Sequence, residues 1–262
     1  MSAAVDLLSD PDGRDTKLHQ APSLLTWRDL GIPLLCTAVV VGELYYLSQV
    51  TLGASQANIL EIDNLVLRTR EHVVMTLTIT VIVLALAVPF GVLITRPRFR
   101  WLASPVLALG NIGQAAPIVG LLAIIGSFVF GFWPVVGMIA AFSILPVLRN
   151  TIVGIEQVDV GVKDAARGMG MSPMGVLMRV ELPLAIPIIA AGTRTALILA
   201  VAVIPLGTDM NAGALGELVF AGIKLNRAES LVCGALLIAV LALLVDWASG
   251  LAQRALTPRG IR

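Results

Sequence analysis

Long apolar runs, separated by short polar stretches, make up most of this chain. Several runs reach the roughly 20 residues that a helix needs to cross the hydrocarbon core of a bilayer. They contain few charged residues, as membrane-spanning helices do. The pattern predicts an all-α, polytopic integral membrane protein with six transmembrane helices, at about Leu30–Leu52, His72–Thr95, Pro105–Ile125, Pro134–Arg149, Leu184–Leu206 and Ser230–Leu251.

The composition agrees with this pattern and excludes a soluble globular protein. Of the 262 residues, 57% are hydrophobic and 13% are charged, and the mean hydropathy is +0.92. Residues 1–29 are polar and of mixed charge, so we expect a flexible N-terminal tail there. A transmembrane domain over residues 30–251 and a short C-terminal tail over residues 252–262 complete the predicted organisation.

Basic residues lie mostly on one side of the predicted spans, and this bias predicts the orientation. The side that carries Asp164 also holds Arg96, Arg98, Arg100, Arg149, Lys163 and Arg179. We therefore expect a multi-pass protein of the cell membrane (inner or plasma membrane) with both termini in the cytoplasm. The tryptophans fall at predicted span ends, where indole rings prefer the membrane interface: Trp27, Trp101, Trp133 and Trp247.

One charged segment interrupts the apolar pattern between the fourth and fifth predicted spans. Asp159 is suited to cap the start of a short helix, in which Asp164 and Arg167 have the spacing of an i,i+3 ion pair. Gly170 is suited to end this helix, because glycine tolerates the positive φ of a C-terminal cap. Ser172 then suits the start of a second helix. The segment is predicted to be a compact pair of short helices presented to a partner.

The spacing of this segment resembles a known motif. Asp164-Ala-Ala is followed after three residues by Gly170 and, after nine more, by Val180-Glu-Leu-Pro183. This resembles the EAA motif of permease subunits of ABC-type importers, with aspartate in place of glutamate and valine in place of isoleucine. The resemblance implies the type I importer permease fold, with residues 156–183 as a cytoplasmic coupling segment. The ATPase-coupling residues that it implies are Asp164, Ala165, Ala166, Gly170, Val180, Leu182 and Pro183.

The same resemblance implies the partners. They are an ATP-binding ABC subunit that carries ATP and Mg²⁺, a second permease (the same chain or a paralogue) and an external substrate-binding protein, besides the lipid bilayer. No nucleic-acid partner is expected. The chain has no Gly-x-x-x-x-Gly-Lys-Ser/Thr phosphate loop. We therefore expect a transporter subunit without enzymatic activity and without a cofactor of its own.

Further stretches resemble the permeases of osmoprotectant importers, which take up glycine betaine, carnitine or choline. They include Leu148-Arg-Asn-Thr151 and Gly192-Thr-Arg-Thr-Ala196, and Ala214 stands where those permeases have glycine. The resemblance implies uptake of a quaternary amine by alternating access. One alternative is a permease of a methionine-type amino-acid importer. The other is an ATP-independent carrier or channel. Such proteins usually have paired ionisable residues at mid-span, and charged residues at mid-span are sparse here, which disfavours this alternative.

Polar residues inside the predicted spans are candidates for a translocation pathway, because unpaired polar groups are costly in lipid. Asn111 and Gln114 are flanked by glycine and proline, which predicts a broken helix that faces protein or water. Three roles are considered for Arg194: it lines the pathway, it pairs with Glu43, or it supports a contact between helices. For Glu43, the alternative to these pathway and pairing roles is that its side chain reaches the outer membrane interface. Thr78 either faces the pathway or bonds its own backbone, as threonine in a span usually does.

No catalytic or metal-binding set is predicted. His19 and His72 are the two histidines, and neither has a partner at a useful spacing. Cys36 and Cys233 fall at different depths of their spans, so no disulfide is expected between them.

Overall fold

The computed structural model describes residues 27–257, apart from the side chains of residues 27–28 and 54–55. Within these residues all regular secondary structure is helical. The α-helices are α1 (Gly31–Gln49), α2 (Ala54–Ile59), α3 (Ile62–Ile94), α4 (Ala103–Ala115), α5 (Ile118–Gly126), α6 (Phe132–Glu156), α7 (Val160–Gly168), α8 (Pro173–Val176), α9 (Leu182–Val203), α10 (Gly216–Lys224) and α11 (Ala228–Leu256). Short 3₁₀ turns cover Trp27–Leu30, Arg100–Leu102 and Ile204–Met210, and a π-helical turn covers Leu177–Glu181.

Among residues 27–257, five continuous helices are long and apolar enough to cross a membrane. They are α1, α3, α6, the helix that runs without a break over Pro173–Met210, and α11. A sixth candidate is the pair α4–α5, whose halves meet at an angle of 80°. The predicted all-α fold with about six spans is therefore confirmed.

The third predicted span, Pro105–Ile125, is the one that the structure breaks. Ala116 is extended, with φ −67° and ψ 140°, and Pro117 follows it. A residue before proline is driven from the helical region by the proline ring, so α4 ends there and α5 starts in a new direction. The glycines and proline of this stretch predicted such a break.

Other boundaries also differ from the predicted ones, because apolar patterning detects only the part of a helix that lies in hydrocarbon. The helix α6 ends at Glu156, seven residues beyond the predicted Arg149. The helix α3 begins at Ile62, ten residues before the predicted span. At the other end of the chain, α11 continues to Leu256. Asp29, expected in the N-terminal tail, is held by two hydrogen bonds from the guanidinium of Arg254, at 2.6 and 3.0 Å. His19 lies outside the described residues.

The helix α6 is the centre of the bundle, with α3 on one side and α9 on the other. Glycine permits both contacts: a Cβ at Gly91 of α3 would lie 2.7 Å from the Thr151 side chain of α6. Gly154 of α6 likewise faces Ala185 of α9, with a Cβ distance of 3.2 Å. Small residues let helix backbones approach closely in membranes, where packing stabilises association. The helix α11 then packs on α9, α10 and α1.

Candidate functional site: the 156–183 segment and the polar groups of the spans

The helix α7 is built by the local interactions that its residues predict. The Asp159 carboxylate accepts a hydrogen bond from the backbone N–H of Val162, at 3.1 Å, and so caps the first turn. Arg167 donates to Asp164 at 3.0 Å, and both side chains are 61% exposed. Such an exposed pair contributes little stability, so Asp164 is free to exchange its partner.

Gly170 ends the helix in a complete Schellman motif. Its φ is +85°, its N–H donates to the Arg167 carbonyl at 2.9 Å, and the N–H of Met171 donates to the Ala166 carbonyl at 3.2 Å. A second cap follows, in which the Ser172 hydroxyl accepts the N–H of Gly175 at 3.1 Å. The bend between α7 and α8 is therefore fixed by backbone geometry.

The 156–183 segment has a buried face and an exposed face. Ala166, Val176 and Leu177 are buried beneath it, whereas the neighbouring Ala165 is exposed. The exposed face is rich in apolar side chains that are 45–73% accessible: Val160, Val162, Met169, Met174 and Met178. Several exposed apolar side chains on one short segment are typical of a protein interface, and methionine adapts well to a partner surface.

The remaining motif residues lie where the segment joins α9. Val180 is in the π-helical turn, and Leu182 and Pro183 begin α9 without interrupting the long helix. All three are of intermediate exposure. Beside them is a contact that sequence reasoning missed: the buried carboxylate of Glu181 accepts a hydrogen bond from Arg96 at 2.5 Å.

The predicted pathway residues on α4 are used in contacts with α6. Arg149 donates to the side-chain oxygen of Asn111 at 2.7 Å, and the amide of Gln114 donates to the Phe142 carbonyl at 3.1 Å. These bonds hold the broken span against the centre of the bundle. The hydroxyl of Thr78 donates to the Val74 carbonyl of its own helix at 2.7 Å, which is the backbone alternative of the two considered.

Arg194 forms a bidentate ion pair with Asp246 of α11, with nitrogen–oxygen distances of 2.5 and 2.6 Å. The alternative pairing of Arg194 with Glu43 is therefore wrong. An oxygen of Glu43 is buried and has no hydrogen-bond partner among the described residues. Asp246 was missed, although a lone carboxylate in the apolar run of the sixth span was a usable signal.

The four predicted pathway residues do not converge on one site in this chain. Asn111 and Gln114 lie at the α4–α6 contact, whereas Arg194 borders a cavity of about 300 Å³ between α9 and α11. Thr193, Ser249 and Gln253 add polar groups to the lining of that cavity.

Residues 87–259 match the family of binding-protein-dependent transport system inner membrane components. The chain belongs to that family. The membership accounts for the apolar helices and for the charged segment between them, and it makes the chain a permease subunit, a multi-pass membrane protein rather than a catalytic enzyme.

Several relatives of this permease align with three quarters of its length. The carnitine transport permease protein OpuCB of Listeria monocytogenes is 34% identical over 201 residues, which cover 76% of this chain and 91% of the relative. The choline transport system permease protein OpuBB of Bacillus subtilis is 34% identical with the same coverage. The osmoprotectant import permease protein OsmW of Salmonella typhimurium is 34% identical, covering 74% and 92%.

Among solved structures, the permease resembles a chain of the MetNI methionine ABC transporter in an inward-facing conformation. The TM-score is 0.68 at 23% identity, and the alignment covers 79% of this chain and all of that chain. At this identity the likeness shows the fold, which is that of the type I importer permeases.

Proposed function

We propose that this permease imports osmoprotectants of the quaternary-amine class, such as glycine betaine, carnitine or choline. The relatives named for carnitine, choline and osmoprotectant transport support this substrate class. The methionine-type alternative has the likeness to MetNI in its favour, but fold likeness does not select a substrate.

The observation that carries the proposed mechanism is the two-faced 156–183 segment. Its exposed face, with Ala165 and Met169, docks on a separate ATP-binding subunit that holds ATP and Mg²⁺. This face and both chain termini lie in the cytoplasm, in agreement with the excess of Lys and Arg on that side. The buried face, with Ala166 and Val176, passes the displacement to the spans.

Transport then proceeds by alternating access. Closure of the ATPase subunits moves α7, and the unbroken helix over Pro173–Met210 extends the movement through the bilayer. Since one chain supplies about six spans, a second permease, the same chain or a paralogue, completes the pathway. An external binding protein delivers the substrate to the opposite side.

Neighbouring alanines test the docking face. Ala165→Trp places bulk on the exposed side of α7, whereas Ala166→Trp places it on the side where the alanine is 2% exposed. We expect Ala165→Trp to leave the permease folded but to abolish copurification of the ATPase, and Ala166→Trp to lower the yield of folded permease. An Ala165→Trp permease that retains its ATPase and its uptake would contradict the assigned docking face.

The substrate class is tested by copurification in mild detergent followed by uptake into proteoliposomes. We expect an ATP-binding subunit in the eluate and ATP-dependent uptake of labelled glycine betaine, carnitine or choline. Uptake of methionine alone would favour the amino-acid importer. Uptake that persists without ATP and without a copurified ATPase would favour a carrier or channel.

A further inference from the structure

A buried ion pair connects α3 to the end of the 156–183 segment. Arg96 follows the last turn of α3, and one of its terminal nitrogens lies 2.5 Å from an oxygen of the Glu181 carboxylate. The Glu181 side chain is 6% exposed and that of Arg96 is 31% exposed. A charge buried to this degree is strongly destabilising unless its partner stays in place, so the two groups are expected to move together.

Glu181 closes the π-helical turn Leu177–Glu181, where the hydrogen-bond ladder of the long helix changes. The N–H of Leu182 donates to the Leu177 carbonyl, five residues back, and Pro183 has no N–H to donate. Turns of this kind occur mostly as single interruptions of α-helices, often at functional sites. The long helix is therefore easier to bend between α8 and α9 than in a regular α-helical turn.

On the other side of the pair, the end of α3 is fixed to α6. Ile94 is fully buried, and Gly91 is packed so closely that a Cβ would lie 2.7 Å from Thr151 and 3.4 Å from the Leu148 carbonyl. The nitrogen Nε of Arg96 also donates to the Val92 carbonyl of α3, at 3.3 Å. The Arg96 guanidinium is thus held by the closely packed helices α3 and α6, and it contacts the π-helical turn Leu177–Glu181, which can bend.

We propose that Arg96 and Glu181 are positioning residues, which hold the π-helical turn so that displacement of α7 is passed to α3 and α9 instead of being absorbed at the turn. Glu181 occupies the position between Val180 and Leu182 of the motif, and its contact is internal to the permease. This inference rests on the proposed function, because it assumes that an ATPase displaces α7.

The test compares two ion pairs at the same end of the molecule. Glu181→Gln removes the charge of the buried pair and keeps the size of the side chain. Arg100→Gln removes one charge from an exposed pair, that of Arg100 with Glu156, whose atoms are 3.5 Å apart and whose side chains are 73% and 45% exposed. Both variants are purified as the complete transporter. ATP hydrolysis and uptake of labelled glycine betaine, carnitine and choline are measured in proteoliposomes.

We expect Glu181→Gln to lower the uptake per ATP hydrolysed about tenfold, within the usual range of coupling effects. Arg100→Gln is expected to leave this ratio unchanged. Arg96→Gln should also lower the uptake per ATP hydrolysed. Arg96→Lys keeps the charge, so we expect its uptake per ATP hydrolysed to lie above that of Arg96→Gln. A purely structural role would lower assembly, hydrolysis and uptake together and leave the ratio as it was.

The outcomes separate this proposal from the one on which it rests. A wild-type complex without ATP-dependent uptake overturns both. A wild-type complex that transports normally, together with equal ratios for Glu181→Gln and Arg100→Gln, overturns only the role of the buried pair. If Glu181→Gln does not assemble, the comparison of Arg96→Lys with Arg96→Gln decides: equal ratios overturn the proposal and a higher ratio for lysine supports it.

Discussion

The contact between α6 and α9 makes a quantitative prediction at Gly192. A Cβ there would lie 2.8 Å from the Pro146 carbonyl oxygen and 2.7 Å from the Cβ of Asn150. Carbon–oxygen contacts settle at about 3.3–3.6 Å, so Gly192→Ala must move the two helices apart by roughly 0.5 Å. The Asn150 amide, which donates to the Ile188 carbonyl at 3.0 Å, would be disturbed by the same movement.

Overpacking of a well-packed contact costs about 1–3 kcal/mol. In a chain of this size each kcal/mol lowers the Tm by about 2–4 °C, which gives an expected loss of roughly 2–12 °C for Gly192→Ala. The measurement is thermal unfolding of the purified permease in detergent. The matched control is Gly137→Ala in α6, where a Cβ would meet nothing within 4 Å and alanine favours the helix by up to about 1 kcal/mol.

If Gly192→Ala has as high a Tm as Gly137→Ala, the close approach of α6 and α9 does not determine stability, and the reasoning is refuted. Uptake per ATP hydrolysed offers a second readout, because a wider α6–α9 contact changes the bundle through which, in the proposed mechanism, α9 transmits displacement.

Two further predictions concern the cap of α7 and the charges between α9 and α11. Gly170→Ala should cost about 1–2 kcal/mol, because the φ of +85° at this position is unfavourable for a residue with a Cβ. We therefore expect less ATPase to copurify with this variant. Gly168→Ala, whose Cβ would meet nothing within 4 Å, should behave as wild type. Asp246→Asn leaves the guanidinium of Arg194 without its partner in the bilayer and should cost up to about 2.5–3.5 kcal/mol, measured as loss of folded permease in the membrane. The exchange Arg194→Asp with Asp246→Arg should recover part of that loss, and no recovery would contradict a direct contribution of the pair.

The sequence predicts the local structure of the 156–183 segment well because its determinants are local. The caps by Asp159 and Ser172 form as expected, as does the pair of Asp164 with Arg167. Each involves groups three residues apart, so that the spacing along the chain already defines the geometry. The docking role assigned to this segment stays a prediction.

Contacts between distant parts of the chain are the ones that the sequence does not reveal. Arg194 and Asp246 are 52 residues apart, and Arg96 and Glu181 are 85 residues apart. Hydrophobic periodicity says which residues lie in a span, but it does not say which spans are neighbours or how they are rotated. Without that information an ionisable residue in a span has several candidate partners, and Glu43 was a wrong one for Arg194.

The contacts of α3 bear on how the spans move together. Toward the N-terminal end of α3, in its third turn, the Glu71 carboxylate accepts the N–H of Ala214 at 2.9 Å. Ala214 lies in the turn that follows α9 and its 3₁₀ extension. Ala214 keeps a φ of +69° even though it has a side chain, so the turn holds an unfavourable backbone conformation that this bond helps to stabilise.

At its other end, α3 leads into Arg96, which holds Glu181 just before α9. The helix α3 and the residue that follows it therefore contact the chain both before α9, at Glu181, and after α9, at Ala214. A displacement that starts at α7 and reaches α9 must either carry α3 along or break one of the two contacts. Breaking the contact at Glu181 would leave a buried charge unpaired, which is costly. Movement of α3 and α9 together is consequently the less costly response. The helix α6 packs against α3 at Gly91 and against α9 at Gly192, so it is expected to move with them.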